Sequence, residues 1–179
     1  MSNPVVYWID AGDRLVRVND AWDVFATEND APDLTAERVV GQPIWACITD
    51  AGTRHLYGSL LTRVRDGVTA RFSLRCDSPT MRRHLRLTIS PDDDGLVQFE
   101  SLVTATEPRA EQPLLRRDLT RGLGLVTLCS WCNRVSVLDG WLELEDAAAP
   151  LRLFDTDLLP ALSHGLCPDC SKYVMAALG

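Results

Sequence analysis

The spacing of apolar side chains predicts strands and helices in turn over roughly the first hundred residues. Two short apolar runs in residues 5–19 flank an Asp-Ala-Gly-Asp turn, a pattern typical of a β-hairpin. Residues 21–28 then place a tryptophan and a phenylalanine on one helical face. A longer helix is predicted to begin at Thr49 or Asp50 and to end at Gly67, because leucines recur between them at helical spacing.

Three further apolar runs, over residues 70–76, 84–90 and 95–106, are predicted to be strands. Short polar segments rich in aspartate, proline and glycine separate them, and such segments favour hairpin turns. The order of two strands, several helices and three antiparallel strands predicts an α+β fold.

This order, over roughly residues 4–106, resembles the PAS family of sensory domains. The resemblance rests on the opening hairpin that ends in Asn19, on residues 39–43 (Val-Val-Gly-Gln-Pro) before the long helix, and on the final three-strand meander. It implies a five-stranded antiparallel sheet with flanking helices across one face. Many PAS domains hold a ligand between helix and sheet, so we expect a PAS-like sensory domain over residues 1–106.

The aromatic residues of this half are candidates for a ligand pocket. Trp8, Trp22, Trp45 and Phe72 are the residues expected to line a cavity between the helices and the sheet. The alternative, which we favour for most of them, is that they fill the core, because aromatic side chains contribute the largest buried areas in a small domain.

Residues 75–79, Arg-Cys-Asp-Ser-Pro, look like a signature of bacterial proteins that pair a PAS-like domain with a C-terminal cysteine motif. The Asp-Ser-Pro sequence suits a tight turn. Neighbouring arginines are predicted to pair with Asp77 across the hairpin, and we favour this charge-braced turn over an anion-binding site. These arginines are Arg75, Arg82 and Arg83.

The last third of the chain is organised around two C-x-x-C pairs. Cys129 and Cys132 form the first pair, and Cys167 and Cys170 form the second a few dozen residues later. The spacing lets both sulfurs of a pair face one ion, and two pairs complete a tetrahedron around zinc. We therefore predict four thiolates on one Zn²⁺, in a closed structural site with no open position for a catalytic water.

The residues around these pairs predict the rest of the module. Asp-Gly at 139–140 favours a two-residue hairpin, and a proline in the first turn fits a helix over 168–178. A knuckle, a hairpin and a ligand-bearing helix resemble a treble-clef zinc finger. Residues 128–172 also resemble the C-S-x-C … W … S-H-G-x-C-P-x-C tail of many bacterial PAS and response-regulator proteins. The zinc-binding module is predicted over residues 123–179, after a linker over 107–122.

His164, three residues before Cys167, has two candidate roles. It can replace a cysteine as a metal ligand, or it can donate a hydrogen bond to a thiolate or a carbonyl beside the metal, which is the role we favour. Cys47 and Cys76 stand alone in apolar or strand sequence and are expected to be buried and inert.

Composition and charge narrow the class of protein. The 179 residues are 46% apolar and 24% charged, which is typical of a soluble globular domain. The net charge of −7 disfavours non-specific binding to nucleic acid or to an anionic membrane surface. No apolar run is long enough to cross a bilayer and the N-terminus lacks a signal pattern, so we expect a cytoplasmic protein. Arginine supplies every basic side chain except Lys172, a bias that indicates a GC-rich bacterial source.

The chain carries no phosphate-binding glycine loop, kinase phosphoacceptor block or DNA-reading helix. We therefore interpret it as a non-enzymatic sensor or adaptor that binds a small ligand or a signalling partner, acting by contact as a homodimer or on a separate regulator. One alternative is a thiol redox switch in which oxidation releases zinc. Another is a sensor that binds haem, or an iron–sulfur cluster on the same four cysteines.

Overall fold

The computed structural model describes residues 3–29, 31–46, 48, 50–151, 153 and 158–177. Within these residues, no helix is both long enough and apolar enough to cross a membrane.

The N-terminal half forms a five-stranded antiparallel sheet, which confirms the predicted PAS-like α+β fold class. Its strands are β1 (Val5–Ile9), β2 (Leu15–Val18), β3 (Ala70–Arg75), β4 (Met81–Pro91) and β5 (Val97–Pro108). Their order across the sheet is β2-β1-β5-β4-β3. The opening hairpin therefore lies beside the last strand of the meander, and β3 lies at one edge.

Three helices connect β2 to β3: α1 (Asp20–Glu28), α2 (Ala36–Val39) and α3 (Ala51–Arg65). Helix α3 begins where the sequence predicted, because the Asp50 carboxylate accepts a hydrogen bond of 2.6 Å from the Thr53 backbone N–H. Gly67 follows the helix with φ of +98°, a conformation that glycine adopts without steric cost.

Asn19 stands at the N-cap position of α1 but does not cap the helix with its side chain. Its amide oxygen accepts from the Val6 N–H at 3.0 Å, and its amide nitrogen donates to the Pro4 carbonyl at 2.8 Å. Asn19 therefore ties the start of α1 to strand β1 instead of satisfying the helix terminus.

The C-terminal part forms a second sheet of four strands with two helices. The strands are β6 (Arg121–Cys129), β7 (Val135–Val137), β8 (Gly140–Leu142) and β9 (Leu159–Gly165), and the helices are α4 (Leu144–Ala147) and α5 (Pro168–Ala177). The strand order is β8-β7-β6-β9. Strands β7 and β8 form a hairpin as predicted, but Val137 pairs with Gly140, so its two-residue turn is Leu138-Asp139 and not Asp139-Gly140. The parallel pairing of β6 with β9 was not predicted.

The main core lies between α3 and the five-stranded sheet and extends into the cysteine module. Leu60 of α3 packs with Phe72 and Ile89 of the sheet, and Trp131 and Val174 of the module belong to the same buried cluster. The module has a second, smaller core of its own. That core consists of Leu114, Val126, Leu128, Val135, Leu144 and Ala147.

The segment predicted as a linker, residues 107–122, contacts both halves. Strand β5 continues to Pro108. The Gln112 N–H donates to the Pro79 carbonyl at 2.8 Å, and Leu114 is only 2% exposed because it lies in the core of the module. The segment is therefore anchored at both of its ends.

Candidate metal centre

The four predicted cysteine ligands converge on one point. Their Sγ atoms all lie within 4.8 Å of one another, and those of Cys132 and Cys167 are 3.8 Å apart. Zinc–sulfur bonds of about 2.3 Å in a tetrahedron separate the sulfurs by about 3.8 Å, whereas a disulfide bond is about 2.05 Å. The donor set therefore fits a single tetrahedral ion. An iron–sulfur cluster fits less well, because several metal atoms between the thiolates would hold them further apart.

The first pair lies in a tight turn at the end of β6. The Cys129 N–H donates to the Arg134 carbonyl at 2.8 Å, and the Asn133 N–H donates to the Cys129 carbonyl at 2.9 Å. Asn133 has φ of +58°, a left-handed conformation that asparagine tolerates better than most residues. These bonds turn the chain so that the Cys129 and Cys132 thiols face the same side.

The second pair lies at the N-terminus of the ten-residue helix α5. Cys167 precedes the helix and Cys170 lies in its first turn. The Cys170 N–H points to the Cys167 sulfur at 3.4 Å, and the Cys167 N–H points to the Cys129 sulfur at 3.4 Å. Backbone donors and the positive end of the helix dipole therefore favour thiolates at this position.

The thiols have strongly unequal acidities because they lie so close together. A hydrogen bond from Cys132, supported by backbone N–H groups, lowers the pKa of Cys129 to about 4. The same hydrogen bond raises the pKa of Cys132, and burial raises the pKa of Cys170 to about 12. A bound dication would replace these shared protons, so metal binding should release protons. Arg134 lies beside the sulfurs, and its pKa is raised by Cys132 when that thiol is deprotonated and by a hydrogen bond of 3.2 Å to Asp169.

The other predicted residues lie around this centre or outside it. His164 is on β9 opposite Leu128, and the sulfur ligands form their group without it. Partial desolvation and the charge of Arg117 lower the pKa of His164, although the residue as a whole is exposed. Burial raises the pKa of Cys76, as expected for an inert thiol. Cys47 lies outside the described residues.

Trp131, inside the first C-x-x-C pair, is a contact that the sequence analysis missed. Its ring is 2% exposed and lies 5.4 Å from Phe72 at an interplanar angle of 89°, and 5.8 Å from Tyr57. Phe72 belongs to β3 and Tyr57 to α3. The turn that carries Cys129 and Cys132 therefore also inserts an aromatic ring into the core of the N-terminal half.

The same module covers the outer edge of β3. The Arg75 N–H donates to the Trp131 carbonyl at 2.8 Å, and the Ser73 N–H donates to the Tyr173 hydroxyl at 3.2 Å. Both N–H groups point to the outer side of β3, away from β4. On this side an edge strand would otherwise present unpaired donors to solvent. The module thus supplies acceptors to two N–H groups at the edge of the PAS-like sheet.

Asp77 is the centre of a buried group of charges on the neighbouring turn. Its side chain is 1% exposed, pairs with the guanidinium of Arg75, and accepts from Arg109 at 3.1 Å. Arg83 contributes its backbone N–H at 3.3 Å, while its guanidinium donates to Asn29. Of the three predicted arginine partners, Arg75 therefore pairs with Asp77 through its guanidinium.

These charges extend to α4 of the cysteine module. Arg75 contacts Glu143 at 2.6 Å, and Glu145 contacts Arg109 at 3.2 Å and Arg82 at 3.1 Å. Burial lowers the pKa of Arg75, but its hydrogen bonds to carboxylates outweigh that effect and raise it. Arg109 was missed because it lies far from Asp77 in sequence. The Arg-Cys-Asp-Ser-Pro turn therefore joins the two halves by ion pairs.

Two of the four predicted pocket residues, Trp8 and Phe72, lie on opposite sides of the sheet and contact different residues. Trp8 follows Tyr7 on β1, so it faces the side of the sheet opposite to the core, where Arg17 lies 4.2 Å from its ring. Phe72 is fully buried against Trp131.

The other two contact the helical side. Trp22 lies 5.4 Å from the Tyr7 ring, edge to face, and Trp45 packs at the margin of the core and donates to Asp13 at 2.9 Å. A ligand pocket formed by these residues stays a prediction.

A shallow groove of about 290 Å³ runs along the junction of the two halves. Leu74 of β3, Cys132 of the first pair and Tyr173 of α5 are among its lining residues. Cys132 is half-buried, whereas Cys129, Cys167 and Cys170 are buried. The groove therefore gives solvent a route to the metal centre at Cys132.

Comparison with known proteins identifies no family and finds solved structures of low similarity. No family model and no curated protein matches the chain. A domain of a sensory box sensor histidine kinase/response regulator from Geobacter sulfurreducens matches at 14% identity and a TM-score of 0.40, over 55% of this chain and 81% of that one. A domain of an HTR-like protein from Haloarcula marismortui matches at 17% identity and a TM-score of 0.39, over 57% of this chain and 98% of that one. The PAS domain of Bordetella pertussis BvgS matches at 22% identity and a TM-score of 0.38, over 57% of this chain and 73% of that one. At these low scores the fold assignment rests on the strand order and the helices described above.

Proposed function

We propose that this chain is a non-enzymatic bacterial signalling protein of the cytoplasm, a sensor or adaptor in which a PAS-like domain receives a small ligand or a protein partner. Its proposed parts are the sensory domain over residues 1–106, the linker over 107–122 and the zinc-binding module over 123–179. It acts by contact, as a homodimer or on a separate signalling protein.

The observation that carries this proposal is the closed set of four cysteines at the junction of the two halves. Four protein sulfurs within 4.8 Å of one another complete the coordination of one zinc ion and leave no position for a catalytic water. Zinc at this position would hold the turn that carries Trp131 and the helix α5 against the sheet. This arrangement supports a structural role for the metal and is compatible with a protein that acts by contact.

The test is metal analysis of the purified, untagged chain together with its absorption spectrum. One zinc per chain, a colourless sample, and loss of zinc in the Cys129→Ser/Cys167→Ser double variant are expected. Iron with visible absorbance would replace zinc in the proposal. Six titratable free thiols without metal would refute the metal centre.

The accessibility of Cys132 favours a second candidate function, a thiol redox switch. A zinc thiolate that lines an open groove is exposed to oxidants, and its oxidation to a disulfide would release the ion. Zinc release under mild peroxide, measured with a chromogenic chelator and reversed by thiol reductant, is expected if this function operates. Retention of zinc under the same treatment would refute the redox switch, and only the structural role of the metal would remain.

A further inference from the structure

Two hydrogen bonds close the outer edge of β3, and their acceptors come from different halves of the metal centre. Trp131, which accepts from Arg75, lies inside the first cysteine pair. Tyr173, which accepts from Ser73, lies on α5 directly after the second pair. An ion bound by both pairs would hold both acceptors in place at once.

The side chains of the same two residues also contact the sheet. The Trp131 ring packs on Phe72 and Tyr57, and the Tyr173 ring lies 6.3 Å from Phe72 at 77°. Backbone bonds and ring contacts thus depend on the same placement of the turn and of α5. Without the ion, the β6–β9 pairing and the Ser130 N–H bond of 2.8 Å to the Gly165 carbonyl still join the two segments, but no ligand fixes the four sulfurs within 4.8 Å of one another.

The rest of the sheet has backbone pairing of its own. The inner side of β3 pairs with β4 from Ala70 to Arg75, and β4 pairs with β5 along its whole length. Leu60 and Val64 of α3 cover the sheet and are fully buried. Release of the module therefore leaves a sheet that still has its ladder and its helical cover.

We propose that metal occupancy of the four-cysteine centre controls the edge of the PAS-like sheet: the loaded centre closes the β3 edge, and the metal-free centre opens it while the other strands stay paired. This inference rests on the proposed structural metal and adds a regulatory role to it. An open edge presents unpaired N–H and C=O groups of β3 to solvent.

The test is amide hydrogen exchange by NMR on the full chain, loaded with one zinc and after removal of zinc by a chelator. The Ser73 and Arg75 amides point out of the sheet, whereas the Phe72 and Leu74 amides point to β4, so one strand contains both the readout and its control. On zinc removal we expect the Ser73 and Arg75 amides to exchange about tenfold faster or more. The exchange rates of the Phe72 and Leu74 amides should change by less than about twofold.

Tyr173→Phe is the matched control variant, because it removes one hydroxyl and no metal ligand. In the zinc-loaded state it should accelerate exchange at Ser73 and leave Arg75 protected, with one zinc still bound. This result would show that the measurement responds to a single lost acceptor.

Three results would overturn the inference. Continued protection of Ser73 and Arg75 after zinc removal would show that the edge is closed without metal. A loss of protection at Phe72, Leu74 and the amides that pair β1 with β5, equal to the loss at Ser73 and Arg75, would show that zinc stabilises the whole fold and not the edge alone. Absence of metal from the purified chain, read from elemental analysis before any exchange measurement, would refute the proposed function itself and with it the inference.

Discussion

Replacing Asp77 by asparagine removes one charge from the centre of the buried ion pairs and keeps the size of the side chain. The carboxylate is 1% exposed and pairs with Arg75 and Arg109, whose side chains are 11% and 8% exposed. Asparagine retains one acceptor oxygen but presents an NH₂ group to a guanidinium in place of the other. The variant therefore leaves two buried cations short of a partner.

The expected cost follows from what each arginine keeps. Removal of one partner from a buried ion pair costs about 3–5 kcal/mol. Arg75 keeps Glu143 at 2.6 Å and Arg109 keeps Glu145 at 3.2 Å, so we expect the lower end, about 3 kcal/mol. For a chain of this length that corresponds to a fall in Tm of about 6–12 °C.

The assay is urea denaturation at fixed zinc and reductant concentrations, with Glu145→Gln as the matched control. Glu145 pairs with the same Arg109 but is 33% exposed, so its loss should cost about 1 kcal/mol or less. If Asp77→Asn costs no more than Glu145→Gln, the buried ion pairs do not stabilise the junction and our reasoning is wrong. A changed m-value would instead indicate that the two halves no longer unfold together.

Three further predictions concern single side chains. Gly165→Ala should cost about 1–2 kcal/mol, because the new Cβ would lie 3.0 Å from Thr127 Cγ2, and Thr127→Ser should restore most of the loss in urea titrations. Burial opposes but does not prevent a net lowering of the pKa of Glu145 below 4.5 by its own backbone N–H and by nearby arginines. Its stabilisation should therefore be present above about pH 4.5 and fade as the pH falls further, so the difference in unfolding free energy between wild type and Glu145→Gln should shrink only in that acid range. Trp131→Ala should lower the unfolding free energy by about 3–5 kcal/mol, because the buried ring is lost. Trp131→Phe should lower it by about 1 kcal/mol or less, since it also removes an indole N–H that has no hydrogen-bond partner among the described residues. Equal costs for the two variants in urea titrations would contradict this assignment.

Local patterns were sufficient to predict most elements of the fold. The alternation and turn residues of the first 106 positions predicted all five strands of the first sheet, and Asp50 and Gly67 marked the ends of α3. The four cysteines were predictable because their chemistry is carried by residue type and spacing within each pair. These features share one property: each depends on residues that are neighbours in sequence.

The missed features depend on contacts between distant residues. The parallel pairing of β6 with β9 joins two strands between which β7, β8 and α4 lie in sequence. The sequence of β9 contains no pattern that identifies a parallel strand. Trp131 stood in a C-x-x-C motif whose intervening residues ordinarily face solvent, so its burial against Tyr57 depends on the docking of the module. Arg109 was assigned to a linker, although the Arg109 N–H also donates to the Thr80 carbonyl at 3.1 Å.

The docking explains why the cysteine module cannot be treated as a separate appendage. Among the described residues, its smaller core has six buried members, one of them Leu114 of the preceding segment, which is too few to offset the conformational entropy of more than fifty residues. Zinc binding supplies about 10–16 kcal/mol in comparable structural sites, and the ring of Trp131 adds burial that only the other half provides. The PAS-like sheet in turn receives acceptors for two edge N–H groups from the module. Since each half supplies what the other lacks, loss of the metal should be felt in the sensory sheet first at β3, where the two meet.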